Sequence, residues 1–378
     1  MTKDRTVFNG RRLRILLIQA ENLTWPHARS YPYCLNFAFE EGLQAKGVEV
    51  LMLMTPWFKH LDQIGAGRHF DQVWVNDLTH FCHIDASLEQ IVNLAPIRVG
   101  LVTESVECHP QEYEAFPWLR ERRARIDAQF QYVTHVAAVD EQDVINIKGN
   151  FDLPTMWNPC SMPERLIDEQ VPPPSENIAF FSGSIYGQRA KWLEEPTLQN
   201  VLAYQKSTNS GRLDAALFNM LHLPFRRRPL RKFVKHRNFP AGVAYPLYLN
   251  LLRRLRRKAA RLWLEGMQQG AAVVNLPHLV KGYSSRVIEG LASGRPVISW
   301  EIPNRPRNTA MFEDGKEILL YSTPEELTAH IQHVLSDLDF AQQIADNARR
   351  KVKRFHTTEK RVQQILHWVE TGEVLALA

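Results

Sequence analysis

No stretch of the 378-residue chain holds the run of about 18 apolar residues that a membrane-crossing helix needs. The first residues, Met-Thr-Lys-Asp-Arg-Thr-Val-Phe-Asn-Gly-Arg-Arg, also lack the apolar centre of a secretory leader, so a cytoplasmic protein is expected. Cysteine is scarce. Cys34, Cys82, Cys108 and Cys160 lie far apart with no C-x-x-C pair, which argues against a disulfide framework in a reducing compartment. His80-Phe-Cys82-His83 offers metal-ligand residue types, but no second cluster completes a tetrahedral site. The Asp-x-Asp at Asp337-Leu-Asp339 sits near a helix end late in the chain and reads as surface charge, so no metal is expected. A hydrophobic content of 44% with 23% charged residues is that of an ordinary globular protein. The length is enough for two domains with separate cores.

Acidic residues are nearly missing from one segment. Between 200 and 265, Asp214 and Glu265 face fifteen Lys and Arg, a local charge of +13 in a chain of net +5. The rest of the chain therefore carries about −8. This is a basic segment in an acidic protein, and the two parts call for different readings.

The first half alternates buried-strand and helical patterns. Short apolar runs at Leu13–Ile18, Val48–Met54, Phe70–Val75, Arg98–Thr103 and Val133–Val139 are separated by helical spacing, as over 33–46. Such alternation predicts a doubly wound parallel sheet, whose ligands bind beyond the C-terminal ends of the strands. Prolines then cluster at Pro159–Pro163 and Pro172–Pro174 and mark a linker. A second series follows at Asn177–Ser182, Ala271–Asn275, Pro296–Ser299 and Glu317–Tyr321, with helices expected at 324–336 and 339–371. This series is interrupted from about 206 to 265, where 247–264 has the spacing of a basic amphipathic helix. Leu247, Tyr248, Leu251, Leu252, Leu255, Ala259 and Leu262 lie on one side of it. Arg253, Arg254, Arg256, Arg257, Lys258 and Arg261 fill the other positions.

The most informative stretch runs from Lys281 to Ile298. A polar loop, Lys281-Gly282-Tyr283-Ser284, leads into a short helix carrying Ser285, Arg286 and Glu289, and a buried strand follows Ser293-Gly294. A helix start of this kind directs backbone N–H groups and a positive dipole end at a phosphate. Glu289, further along, is placed to accept hydroxyls of the same ligand, an arrangement suited to a nucleotide-diphosphate sugar. This stretch resembles the donor-binding signature of GT-B glycosyltransferases of the group 1 superfamily, and of its spore-maturation-protein-like branch. The resemblance is good over about 178–365 and architectural before that.

The resemblance implies two Rossmann-like doubly wound α/β domains facing a cleft, with a C-terminal helix crossing back to the first. The expected division is 1–165 for the acceptor-side domain, 166–177 for the linker, 178–350 for the donor-binding domain with the 206–265 insertion, and 351–378 for the returning helix. It implies that Glu289 holds the nucleotide ribose and that Gly282, Ser284 and Ser285 meet the donor phosphates. Lys281 departs from the pattern, since many group 1 enzymes carry a glutamate there that touches the transferred sugar. Phe181-Ser-Gly183, followed by Arg189 and Lys191, resembles the inter-domain loop and the cations that neutralise the leaving diphosphate. Arg354-Phe-His356-Thr357 through Arg361 resembles the branch's C-terminal tail, in which His356 is expected to be structural.

On the acceptor side, Glu21, His27, Arg29, Glu104, Glu107, His109 and Asp140 fall in loops after the first-domain strands. Glu104 and His109, just past the strand ending at Thr103, are the candidates for acceptor chemistry. Ala20–Trp25 stands where many relatives have a glycine-rich loop. The resemblance further implies transfer of a sugar from a UDP- or GDP-linked donor to a glycan or lipid-linked acceptor in cell-surface polysaccharide synthesis, with no bound cofactor or metal. A catalytically silent sugar-nucleotide binder or membrane scaffold, and a GT-B sugar-nucleotide epimerase, are the alternatives. The basic helix is either a solvated face or a dock for an anionic membrane, which would hold the protein peripherally on the inner face. No nucleic-acid motif accompanies it, and no nucleic-acid partner is expected.

Overall fold

The computed structural model describes residues 7–8, 11–19, 35–65, 67–76, 78, 88–108, 110–167, 170–183, 185, 188–205, 228–234, 236, 238–278 and 281–376. The first half forms a six-stranded, wholly parallel sheet. Its strands are β1 (Arg14–Gln19), β2 (Glu49–Met54), β3 (Gln72–Asn76), β4 (Ile97–Val102), β5 (His135–Ala138) and β6 (Thr155–Trp157), in the order β2-β1-β3-β4-β5-β6. Ile15 to Ile18 and Val73 to Val75 are fully buried, as expected of strands covered on both faces. Helix α1 (Leu35–Ala45) joins β1 to β2, α2 (Pro110–Ala115) and α3 (Trp118–Asp127) join β4 to β5, and α4 (Glu141–Phe151) joins β5 to β6.

The second sheet has five parallel strands: β7 (Glu176–Ser182), β8 (Leu202–Gln205), β9 (Gly270–Asn275), β10 (Val297–Trp300) and β11 (Leu319–Tyr321), in the order β8-β7-β9-β10-β11. Helix α5 (Arg189–Leu193) follows β7, and α6 (Arg228–Val234) and α7 (Ala241–Met267) precede β9. Helix α8 (Ser285–Ala292) joins β9 to β10, and α9 (Pro306–Thr309) follows β10. Helices α10 (Pro324–Ser336), α11 (Leu338–Phe355) and α12 (Thr358–Thr371) close the chain. Among the described residues no helix is long and apolar enough to cross a membrane.

The single helix expected over 339–371 is two. It breaks at His356-Thr357, where Thr357 caps α12 by accepting the Lys360 N–H. There the backbone pairs with the linker: Met162 N–H donates to His356 O at 3.2 Å and Thr358 N–H to Met162 O at 2.9 Å. Asp337 caps α11 through Phe340 N–H at 2.9 Å, so this member of the Asp-x-Asp serves a helix end. His356 is buried and accepts from Arg361 Nη2 at 2.7 Å, while burial and the nearby Arg361 hold its pKa down at about 3. Helix α12 then lies on α1, with Gly42 leaving room for Val362, and Val362, Ile365 and Trp368 enter the first-domain core.

The basic helix is longer than the sequence predicts and does something else. The sequence places this helix in an insertion, 206–265, of the second domain. Instead Tyr245, Leu249, Leu252, Leu255 and Ala259 belong to the first-domain core, and Ala260, Trp263, Leu264 and Met267 to the second. The Tyr245 hydroxyl donates to Met52 O at 2.7 Å and accepts from Met54 N–H at 2.9 Å. Arg253 forms a two-pronged pair with Glu40, whose side chain is almost fully buried, and Arg257 donates to Glu41 at 2.8 Å. Arg256 is buried. Half of the helix's six cations thus face protein, and Arg254, Lys258 and Arg261 face outward.

Glu40 would be stranded without its partner. Arg253→Met is expected to cost about 3 kcal/mol of folding stability, as a buried carboxylate left unpaired does. Urea unfolding of the two proteins checks this, and a loss below about 1 kcal/mol would reduce the pair to a surface contact.

Candidate functional site

The two sheets present the C-terminal ends of their strands to one another across a cleft. On the second-domain side, β9 ends in Asn275, which is fully buried and organises its surroundings. Its Oδ1 accepts from Ser284 Oγ and Arg286 Nη1, each at 3.1 Å, and its Nδ2 donates to Ser299 Oγ at 3.0 Å. The Tyr321 hydroxyl donates to the Asn275 carbonyl at 2.9 Å. Ser284 is the N-cap residue of α8, yet its hydroxyl turns to Asn275 and makes no cap bond. That end of α8 opens toward the cleft by topology, because a helix joining parallel strands begins at their C-terminal edge.

Two guanidinium groups flank the Phe181 ring. Arg286 lies 4.8 Å from its centroid and donates to Ser182 O, and Arg189 lies 5.4 Å away and donates to Pro277 O at 3.2 Å. Gly183 is required here. Its φ of +157° and the position of Arg286 leave no place for a Cβ, which would overlap the guanidinium. Lys281 supplies a third cation, and His278, three residues beyond Asn275, is buried among all three. Burial first, then Arg189, Arg286 and Lys281, push the His278 pKa well below its usual value, so its imidazole is neutral.

The first domain meets this side through paired groups. Lys281 Nζ donates to Glu112 Oε1 at 2.6 Å, and Lys281 N–H donates to Ser105 Oγ at 2.7 Å. Arg305 forms a two-pronged pair with buried Asp140, at 2.6 and 3.2 Å, and Asn308 N–H donates to Glu141 Oε2 at 3.0 Å. The loop after β4 is shaped by Asp143, which accepts from Val106 N–H at 2.7 Å and Glu107 N–H at 3.0 Å. Burial, followed by the charge of Asp140, pushes the Asp143 pKa up.

Gly183, Arg189, Lys281, Ser284 and Arg286 gather around the end of β9. Ser285 opens α8 beside them. Lys191 does not join them. It is exposed, because residues two apart on a helix point about 200° apart. Tyr283 is also elsewhere: its ring is buried against Phe312, and its N–H donates to Asn308 Oδ1 at 2.9 Å. Gly282 serves the domain contact, since a Cβ there would stand 3.1 Å from Val139 O. Glu289 is buried and its Oε2 accepts the Trp263 indole N–H at 2.8 Å, so a ribose would share it with α7.

Glu104 does not stand as an isolated base. Arg122 Nη2 donates to its Oε2 at 2.7 Å, and Glu107 pairs with Arg123 in the same loop. His109, Glu21, His27, Arg29 and the His80–His83 cluster lie outside the described residues. The sequence reading passed over Asn275, His278, Ser105, Glu112 and Arg305. Asn275 and His278 sit at and just past the end of a strand in a parallel sheet, and that placement was the available signal.

Residues 227–367 match the model of a family described as glycosyl transferase-like. No curated protein sequence matches the chain. Among solved structures, sucrose-phosphate synthase of Thermosynechococcus elongatus superposes with a TM-score of 0.57 at 14% identity, over 95% of this chain and 98% of that one. Anabaena HepE, solved with UDP-glucose, superposes with a TM-score of 0.52 at 13% identity, over 95% of this chain and all of the other. An alpha-glucosyltransferase, solved with UDP-glucose and DNA containing an abasic site, gives 0.56 at 12% identity, over 95% and 100%. The fold is therefore the GT-B fold of two facing Rossmann-like domains, and the chain is glycosyl transferase-like in sequence over residues 227–367.

Proposed function

We propose that this protein is a glycosyltransferase that moves a sugar from a nucleotide diphosphate, UDP before GDP, to a hydroxyl on a glycan or lipid-linked glycan. The observation that carries the reading is the cluster of Arg189, Arg286 and Lys281 around Asn275 at the mouth of α8. Departure of a nucleoside diphosphate concentrates negative charge on the phosphate oxygens, and fixed cations in a water-poor cleft stabilise it without rearranging. Arg189 and Arg286, oriented by Phe181 and by backbone carbonyls, take this role, and the α8 N-terminus adds its dipole. Lys281 brings its charge to the same place while pairing with Glu112, so it ties donor binding to the first domain. The glycosyl transferase-like match and the UDP-glucose bound to HepE support the choice of donor. Acceptor deprotonation is not assigned to Glu104, since its carboxylate is already engaged by Arg122 at 2.7 Å.

A lipid-linked acceptor is favoured by the outward face of α7. Val243 and Leu247 are exposed near its start, with Phe233 of α6 exposed as well, and Arg254, Lys258 and Arg261 follow on the outer side. Apolar residues beside outward-facing cations suit the surface of an anionic bilayer, where each cation contributes roughly 1 kcal/mol.

Thermal-shift and calorimetric titrations with UDP, GDP, dTDP and ADP test the donor site. One nucleotide is expected to bind, with affinity falling at least about tenfold in Arg189→Met, Arg286→Met and Gly183→Ala, and staying level in Lys191→Met. Binding that survives all three changes would remove the cluster from the site. Nucleotide binding with no sugar hydrolysis or transfer would favour the silent binder, and conversion of the free sugar nucleotide the epimerase.

The bilayer reading is checked separately by flotation with phosphatidylglycerol vesicles. Arg254→Gln, Lys258→Gln and Arg261→Gln combined with Leu247→Gln are expected to abolish vesicle binding and leave UDP affinity unchanged. Equal flotation of both proteins would exclude this face.

A further inference from the structure

We propose that Asn275 is a positioning residue for the donor diphosphate, acting through Arg286 and Ser284 without touching the ligand itself. The inference rests on the donor-site reading above and goes beyond it by naming the group that holds the parts of that site in place. Asn275 closes β9, where it is fully buried and in register with Ser299 of β10, also fully buried. Asparagine is disfavoured in strands, and a buried carboxamide is costly unless its hydrogen bonds are made. Here Oδ1 accepts from Arg286 Nη1 and Ser284 Oγ, each at 3.1 Å, and Nδ2 donates to Ser299 Oγ at 3.0 Å. The Tyr321 hydroxyl holds the carbonyl of the same residue from β11, at 2.9 Å. Both the main chain and the side chain of Asn275 are thus fixed by neighbouring strands, while its free-facing oxygen serves α8.

The direction of the carboxamide follows from its partners. A guanidinium only donates, so the atom facing Arg286 is the oxygen, and the nitrogen faces Ser299. Ser299 Oγ accepts it because its own proton goes to Trp300 O, at 3.2 Å. An acceptor is therefore needed on one side and a donor on the other, which a carboxamide supplies and neither a carboxylate nor an apolar side chain does. The oxygen has two effects at the mouth of α8. It draws the Ser284 hydroxyl to the strand, and this N-cap residue makes no side-chain bond to its own helix. It also gives the Arg286 guanidinium a fixed contact in addition to Ser182 O and the face of Phe181. A neutral acceptor orients that guanidinium without offsetting its charge, and the charge is what a departing diphosphate draws on.

Calorimetric titration with UDP-glucose tests this, with thermal unfolding of each ligand-free variant as the check that it is folded. Asn275→Ala is expected to bind at least about tenfold more weakly than the native protein. Asn275→Asp keeps the shape and both acceptor contacts, yet is expected to lose at least about tenfold as well, because its charge competes with the diphosphate for Arg286. A double-mutant cycle separates positioning from a general structural role. On an Arg286→Met background, the loss caused by Asn275→Ala is expected to shrink to about threefold or less. Ser299→Ala releases the far side of the carboxamide and leaves Asn275, Ser284 and Arg286 present, so it carries the test if the Asn275 variants do not fold. It is expected to weaken binding about threefold. Native affinity in any folded variant, or a loss undiminished on the Arg286→Met background, would overturn the role of Asn275 and leave the donor site standing. No binding of UDP-glucose or any other sugar nucleotide by the native protein would instead overturn the donor-site reading, and this inference with it.

Discussion

One helix contributes to the cores of both domains, and the geometry of the cleft depends on it. The first half of α7 is packed into the first-domain core through Tyr245, Leu249, Leu252 and Leu255, and its last turns lie in the second through Trp263, Leu264 and Met267. A helix of 27 residues is about 40 Å long, and beyond Pro246, which has no N–H to donate, its turns are hydrogen-bonded one to the next. The domains are therefore joined by a continuous element in addition to the linker. Helix α12 crosses in the opposite sense, carrying the end of the second half back onto α1. Two rigid crossings fix how the strand ends of the two sheets face each other.

The charges of α7 follow from this position. Glu40 and Glu41 of α1 face Arg253 and Arg257, and Arg165 of the linker region also donates to Glu41, at 2.6 Å. A nearly buried carboxylate such as Glu40 is costly to place without a partner, and the guanidinium of Arg253 supplies two N–H groups in matching geometry. Arginine suits this seam better than lysine, whose point charge would satisfy one oxygen at a time. The high positive charge of this segment is thus partly structural, with the acidic partners contributed by the other domain.

The sequence disclosed the sheets well and the seam poorly. Nine of the eleven strands in the two parallel sheets begin and end within about two residues of the apolar runs that predict them, because strands buried on both faces read as unbroken hydrophobic stretches. The two that escaped, Thr155–Trp157 and Leu202–Gln205, are short edge strands. Their few residues carry no run long enough to recognise. Helical spacing identified the apolar stripe of α7 but not which core it enters, since periodicity gives a face and never a partner. The same limit applies at the site. Along the chain Lys191 is equivalent to Arg189, and Tyr283 shares one polar loop with Ser284. Direction around a helix and the Phe312 ring separate them in space. Glu104 was legible as a residue past a strand end, but its pairing with Arg122, 18 positions on, was not.

What the structure adds to the signature is its charge balance. The loop and helix from Lys281 to Glu289 carry three charged groups, and each is engaged on a different side: Lys281 with Glu112 of the first domain, Arg286 with Asn275 and Ser182, Glu289 with Trp263 of α7. One short segment thereby meets the other domain, its own sheet and the connecting helix. A ligand that draws on Lys281 competes with Glu112, so its binding energy couples to the contact between domains without any separate device. Arg305 and Asp140 form a second contact, and Asp140 also influences the Asp143 that shapes the loop around Ser105. The first-domain loops around Ser105 and Asp140 are therefore held by the same ionic contacts that hold the segments around Lys281 and Arg305 in the second domain.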